Sequence, residues 1–244
     1  MNPARISYIL QVLQQTSDSK PSMEGNEPRL PLKGLKALDV GCGGGVLSES
    51  LARLGASITA IDPSSLAEAA KQHSSQTLGP NIAQNIDYRV SMSIEELAAE
   101  MQGRPNSDLF DVICILEVIE HTENPYSIFC AASSLLKKPT INDAGGVLFV
   151  SSINRTLKSY AIAVVGAEYV TRKVPIGTHN WNQFYSPQDV KSIAKSVGLQ
   201  QLNVCGMIMV SSSLICGPIQ WILDENDTDV NWISAYNLES PSSS

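Results

Sequence analysis

No apolar run in this chain reaches the roughly 18–20 residues needed to cross a bilayer as a helix, so nothing in it reads as a membrane span. The opening "MNPARISYILQVLQQ" carries one arginine and no Arg- and Ser-rich amphipathic leader. It reads as neither signal nor transit peptide, and if the protein is imported into an organelle, the leader is already missing here. Basic charge is in short supply: 17 Lys and Arg stand against 24 Asp and Glu, for a net charge of −7. That balance argues against nucleic acid as the main ligand. The five cysteines, Cys42, Cys114, Cys130, Cys205 and Cys216, form no CxxC pair and no Cys/His cluster. An odd count with mostly apolar neighbours predicts reduced thiols that act as small buried hydrophobes, not disulfides or zinc ligands.

What is present is ample apolar material, 43% of 244 residues, enough for the core of one large α/β domain. We read that domain over residues 1–239, with a polar surface loop at 16–33, a longer insertion at 154–180 and a disordered serine-rich tail at 240–244. Residues 4–14 place Ile6, Ile9, Leu10 and Leu13 on one helical face. "LKALDV", "SITAID", "IDYRVS", "FDVICILEV" and "GGVLFVSSI" are buried strands, and helical patterns separate them. Leu47, Leu51 and Leu54 mark a helix that stops at Gly55. Ser93 with Glu96 predicts a capping box, and "SPQDVKSIAKSVG" a capped helix closed by Gly198. "QQLNVCGMIMV" and "VNWISAYNLE" read as a final antiparallel pair. Strands and helices in this alternation predict a doubly wound parallel sheet, whose ligands lie beyond the carboxyl ends of the strands where the winding reverses.

The first strand runs into "LDVGCGGGVLSES", with four glycines in five positions, Gly41 and Gly43 to Gly45. Glycine takes positive φ cheaply and presents no Cβ to a ligand, and the following helix offers free N–H groups. The spacing is G-x-G-G-G, one position short of the dinucleotide fingerprint. Asp39 precedes the loop and Asp62 ends the second strand. Acid, G-x-G-x-G and acid together fit S-adenosylmethionine better than a dinucleotide: Asp62 reaches ribose hydroxyls, and Asp39 helps to balance the donor's ammonium. Leu116, just before the end of strand four, reads either as an apolar wall beside adenine or as plain core.

Strand four continues into "LEVIEHTENP", which sets Glu117, Glu120 and His121 at i, i+3 and i+4. On a helical turn all three point the same way. Two carboxylates and an imidazole suit Mg²⁺, with Mn²⁺ or Zn²⁺ admitted by the nitrogen; the alternative is a metal-free pair that shapes the pocket or acts as a base. His73 reads as a surface helix residue. His179, in "GTHNWNQFYSP", either overhangs the site or packs a loop. The stretch 154–179 has an apolar centre flanked by Arg155, Lys158, Arg172 and Lys173, and reads as a lid over the substrate or as a segment touching anionic lipid.

"LDVGCGGGVLSESLARLGA", "EVIEHTENP", "NRTLKSYAIAVVGAEYVTRKVPIGTH" and the opening "NPARISYI" together resemble the ubiquinone-biosynthesis O-methyltransferases, over roughly residues 2–210. The resemblance implies a seven-stranded class I methyltransferase sheet with an antiparallel final hairpin. It also implies S-adenosylmethionine-dependent methylation of a phenolic hydroxyl on polyprenylated catechols, a dihydroxy-polyprenylbenzoate and a demethylubiquinol. By that resemblance Arg5, Gly41, Asp62 and Leu116 are cofactor-binding positions, joined in our own reading by Asp39 and Gly43. Glu117, Glu120 and His121 are divalent-metal ligands by the same resemblance. Glu117 and His121 then act on the catechol through Mg²⁺, with His179 as base or gate. It further implies a protein peripheral to the membrane that holds its substrate, in a multiprotein ubiquinone-biosynthesis complex. The long loop 16–33 and the insertion "KKPTINDAGG" point to the matrix face of the mitochondrial inner membrane, or to the cytoplasmic membrane face if the protein is prokaryotic. The family pattern carries a further aromatic and acidic stretch before "NPxR", so a match starting at residue 2 implies a shortened N-terminus. Competing readings are a non-catalytic cofactor-binding scaffold, a dinucleotide-dependent oxidoreductase, and a methyltransferase for another small phenol.

Overall fold

The computed structural model describes residues 1–16, 30–141, 143–160, 181–211 and 219–239. His179, Cys216, most of the 16–33 and 154–180 segments and the 240–244 tail lie outside the described residues.

Eight strands form one sheet in the order β3-β2-β1-β4-β5-β8-β6-β7. They are β1 (Lys36–Val40), β2 (Ser57–Asp62), β3 (Ile86–Val90), β4 (Val112–Leu116), β5 (Val147–Ile153), β6 (Leu199–Ser211), β7 (Ile219–Asp224) and β8 (Asn231–Leu238). The first five are mutually parallel. β8 lies antiparallel between β5 and β6, and β7 adds antiparallel to the free side of β6. The doubly wound class is as the sequence reads, and β6 and β8 do pair antiparallel. The strand count differs: "IQWILD" forms an eighth strand, so seven falls one short.

Eight helices accompany the strands among the described residues: α1 (Asn2–Thr16), α2 (Val46–Arg53), α3 (Leu66–Thr77), α4 (Pro80–Ala83), α5 (Ile94–Glu100), α6 (Pro125–Leu135), α7 (Leu157–Ser159) and α8 (Pro187–Ser196). The two-residue period of each strand sends its side chains into two separate cores. On one side Ala37, Ala60, Val112, Phe149 and Ile233 pack with Tyr8, Ile9, Leu47 and Leu51 from α1 and α2. On the other, Leu38, Ile61, Ile113, Leu148, Trp232 and Tyr236 pack with Leu97, Phe129 and Val190 from α5, α6 and α8. α1 buries Ala4, Tyr8, Ile9 and Val12, a face rotated from the expected one; Ile6, Leu10 and Leu13 are only partly buried at its margin. The Tyr8 ring meets Phe149 edge-on at 6.1 Å and its hydroxyl donates to Asn203 Oδ1, which draws that face inward.

The local helix-start signals behave as their chemistry requires. Ser93 and Glu96 form the reciprocal capping box at α5. Ser186 and Asp189 do the same at α8. Leu32, assigned from the sequence to a surface loop, is instead buried, with its N–H donating to Leu54 O. Cys42, Cys114 and Cys205 are buried free thiols, whereas Cys130 is exposed. No helix among the described residues is long and apolar enough to cross a membrane.

Candidate active site

The winding reverses between β1 and β4, so the two loops leaving their carboxyl ends face each other. Gly41, directly after β1, has φ +69°, and a Cβ there would stand 2.6 Å from Val118 Cγ2 in the loop after β4. Its bareness therefore serves the contact between the two loops. Gly43 and Gly44 differ: a Cβ at either would meet nothing within 4 Å. A ligand can therefore approach the chain closely at these two positions.

Two acids frame the bend. Asp39 is buried and accepts the Ser48 hydroxyl at 2.5 Å. Burial pushes its carboxyl up to about 6, against the pull of the Ser48 hydrogen bonds and the Arg5 charge. Asp62 closes β2 and spans the loop. Its Oδ2 accepts the Gly43 N–H at 2.9 Å, and its Oδ1 accepts both the N–H and the hydroxyl of Ser64, at 2.8 and 2.5 Å. The carboxylate read as a ribose ligand also holds the glycine bend in shape.

Beyond Leu116, itself buried at the end of β4, Glu117 takes φ +58°, rare for a residue with a side chain. The chain turns sharply and enters a short 3-10 turn, Ile119–His121. Glu117 Oε1 lies 3.1 Å from Arg5 Nη2 and accepts the Ser151 hydroxyl at 3.0 Å. Glu120 is buried and its Oε2 accepts the Ser152 hydroxyl at 3.1 Å. Burial, with the neighbouring Glu117 carboxylate next, pushes Glu120 up to about 8. Arg5 Nε is buried without a partner.

The structure thus brings Arg5, Glu117 and Glu120 into one cluster, and joins Gly43 to Asp62. His121 is not drawn in: its side chain is exposed, and among the described residues no group of three His, Cys, Asp or Glu side chains is placed to hold a metal ion. The three residues expected as metal ligands are thus not gathered around one point in this structure. A 3-10 turn advances about 120° per residue, which separates the direction of position 121 from that of 120, where an α-helix would have kept i, i+3 and i+4 closer. The two carboxylates alone still make a hard-oxygen site that favours a positive charge between them. Sequence reasoning missed Ser48, Ser64, Ser151 and Ser152. The signal for the last two was visible: two consecutive hydroxyls in a strand otherwise fully apolar.

The fold and the paired loops are those of a methyltransferase. A family profile described as "Methyltransferase domain" matches residues 6–204. Among solved structures, magnesium protoporphyrin IX methyltransferase from Synechocystis PCC 6803 with bound SAH superposes with a TM-score of 0.59 at 17% identity, covering 96% of this chain and 82% of that one. A SAM dependent methyltransferase from Aquifex aeolicus gives 0.55 at 14%, covering 94% and 88%. Sequence relatives are more specific. The ubiquinone biosynthesis O-methyltransferase of Xanthomonas euvesicatoria pv. vesicatoria (strain 85-10) is 41% identical over 209 residues, 85% of this chain and 73% of that protein. The protein of the same name from Xanthomonas campestris pv. campestris (strain B100) is 39% identical over the same shares. The chain belongs to the ubiquinone biosynthesis O-methyltransferase family, a family of S-adenosylmethionine-dependent O-methyltransferases.

Proposed function

We propose that this protein methylates a phenolic hydroxyl of a polyprenylated catechol in ubiquinone biosynthesis. One observation carries the reading: the unobstructed glycines Gly43 and Gly44 after β1 and the Glu117–Glu120 pair after β4 sit on loops that meet at Gly41 and Val118. A donor site and an acceptor site then share one crevice, and proximity supplies much of the rate for a donor that is reactive by itself. S-adenosylmethionine, when bound, supplies an electrophilic methyl group on a positively charged sulfur.

The chain's own residues divide the remaining work. Asp39 offers negative charge to the donor's ammonium, Asp62 a carboxylate to ribose hydroxyls, Arg5 a guanidinium to the donor's carboxylate, and Leu116 an apolar surface for the adenine. Glu117 accepts a hydrogen bond from a catechol hydroxyl, while Glu120, raised to about 8 by burial and by Glu117, holds its own proton at neutral pH and hydrogen-bonds the second ring oxygen. A divalent cation implied by the family resemblance would be held by Glu117 and Glu120, with His121 next to them in sequence, and would supply charge that eases loss of the phenolic proton. The greasy tail of the acceptor calls for peripheral contact with a membrane, the matrix face of the inner membrane in a mitochondrial setting. Two of the four basic residues flanking the 154–179 stretch are already spent within the chain: Arg155 pairs with Asp189, and Lys158 with Asp227 and Asp229.

The test is transfer of labelled methyl from S-adenosylmethionine to a short-chain prenylated catechol. Labelled methoxy product is expected. Tight S-adenosylhomocysteine binding in a thermal-shift assay without any product would favour the non-catalytic scaffold instead.

A further inference from the structure

All seven residues of β5 are buried, and five of them are aliphatic or aromatic. The exceptions, Ser151 and Ser152, are fully buried. A hydroxyl in such surroundings costs free energy unless it is hydrogen-bonded, and alanine would fill the space nearly as well. Each serine has a partner, and each partner is a different carboxylate. Ser151 donates to Glu117 at 3.0 Å and Ser152 donates to Glu120 at 3.1 Å. Consecutive strand residues point to opposite faces of a sheet, so the two hydroxyls leave β5 in different directions and each meets a different member of the Glu117–Glu120 pair. The backbone reinforces the first contact: Leu116 pairs with Ser151 in register, and the Glu117 N–H donates to Ser151 O at 3.0 Å. The left-handed turn at Glu117 then lets the chain fold back so that Glu120 reaches Ser152.

We infer that Ser151 and Ser152 are positioning residues of the acceptor site, holding Glu117 and Glu120 beside each other at the end of β5. The inference rests on the acceptor reading of those two acids. Ser151 and Arg5 occupy Oε1 of Glu117, and Ser152 occupies Oε2 of Glu120, which leaves Glu117 Oε2 and Glu120 Oε1 outside these contacts. The hydroxyl donated to Glu117 is a charge-assisted hydrogen bond, and the one donated to Glu120 orients a buried carboxyl that keeps its proton at neutral pH. Partners of this indirect kind typically change affinity at a site by about 10- to 100-fold.

The experiment uses the full chain carrying Ser151→Ala, Ser152→Ala and, as a control, Ser234→Ala. Ser234 is a buried serine of the same sheet whose hydroxyl donates to Asn203 O, away from the acids. Calorimetry reads three ligands: S-adenosylhomocysteine alone, Mg²⁺ alone, and a simple catechol in the presence of S-adenosylhomocysteine. Ser151→Ala and Ser152→Ala should weaken Mg²⁺ and catechol about tenfold or more while S-adenosylhomocysteine binds as in the parent. Ser234→Ala should lower thermal stability and leave all three affinities alone. Parent-like Mg²⁺ and catechol binding in both variants would overturn the inference and leave the function standing. Binding of neither Mg²⁺ nor catechol by the parent would overturn the acceptor reading, and the inference with it.

Discussion

Arg5, in the first turns of α1, reaches across to Glu117 at the far end of β4, with Nη2 3.1 Å from Oε1. The pair links the N-terminal helix to the loop that carries the acceptor acids, and its members expose only 16% and 25% of their side-chain surface. Removing one member of a pair this largely buried leaves the other charge without its partner and costs stability; the pair also places the guanidinium between the two halves of the crevice. Arg5→Met should therefore lower both the melting temperature and the ligand affinity. We expect S-adenosylhomocysteine to bind about tenfold more weakly by calorimetry, the loss of one charge-assisted contact. A variant that binds as tightly as the parent would remove Arg5 from the donor site.

Gly41 is required by its neighbour. Gly41→Ala places a methyl group 2.6 Å from Val118 Cγ2 on a backbone already at φ +69°. The strained backbone alone costs about 1–3 kcal/mol, to which the clash adds. Val118→Ala in the same chain should recover the steric part and leave the conformational part. Chemical denaturation of the two single variants and the double variant reads this directly. If the double variant were no more stable than Gly41→Ala, the contact between the loops would not be the reason for the glycine.

Asp62 has two tasks, and its removal should show both. Asp62→Ala loses the acceptor for the Gly43 N–H and for Ser64, so amide exchange at Gly43 should speed up in the absence of ligand. S-adenosylhomocysteine affinity should fall by about 10- to 100-fold, the worth of hydrogen bonds to a charged group. Faster exchange with unchanged affinity would reduce Asp62 to a strut for the loop.

Asp39 gives a pH dependence of known sign. Its carboxyl rises from 3.8 unfolded to about 6 folded, chiefly through burial. The folded chain therefore holds this proton more tightly than the unfolded chain. Its stabilising effect is complete below about pH 3.8 and is lost as the pH rises through about 6. Asp39→Asn abolishes that titration, so the variant should gain on the parent from pH 4 to pH 7, by up to about 3 kcal/mol. Thermal unfolding across that range would show it. A difference that stayed constant with pH would mean that Asp39 carries no such shift. The same variant should bind the donor less well at neutral pH, since the negative charge facing its ammonium is gone.

Much of this architecture was legible from pattern alone. The five parallel strands announced themselves as apolar runs, and caps such as Ser93 with Glu96 marked their helices, because those signals depend on near neighbours. What depended on distant partners was hidden. The four glycines look alike in sequence, and only the approach of Val118 shows that Gly41 serves packing while Gly43 and Gly44 lie open. Glu117, Glu120 and His121 carry a spacing that promises three ligands on an α-helical turn. The chain makes a 3-10 turn after a left-handed residue, and His121 points to solvent. The inward face of α1 was set by Tyr8 finding Phe149 and Asn203, more than 140 residues away, which no local periodicity contains.

The interior place of β8 governs how this molecule can be shortened. Residues 231–238 are stitched to β5 on one side and to β6 on the other. A fragment ending before residue 231 would strip β5 of its outer neighbour and cut β6 and β7 loose as an isolated ribbon, too small to persist in water. It would also unseat Trp232, which is wholly buried and donates its indole N–H to Tyr185 O. Trimming of this protein from the carboxyl side should thus fail abruptly at β8, because those eight residues are the keystone of the sheet and not its fringe.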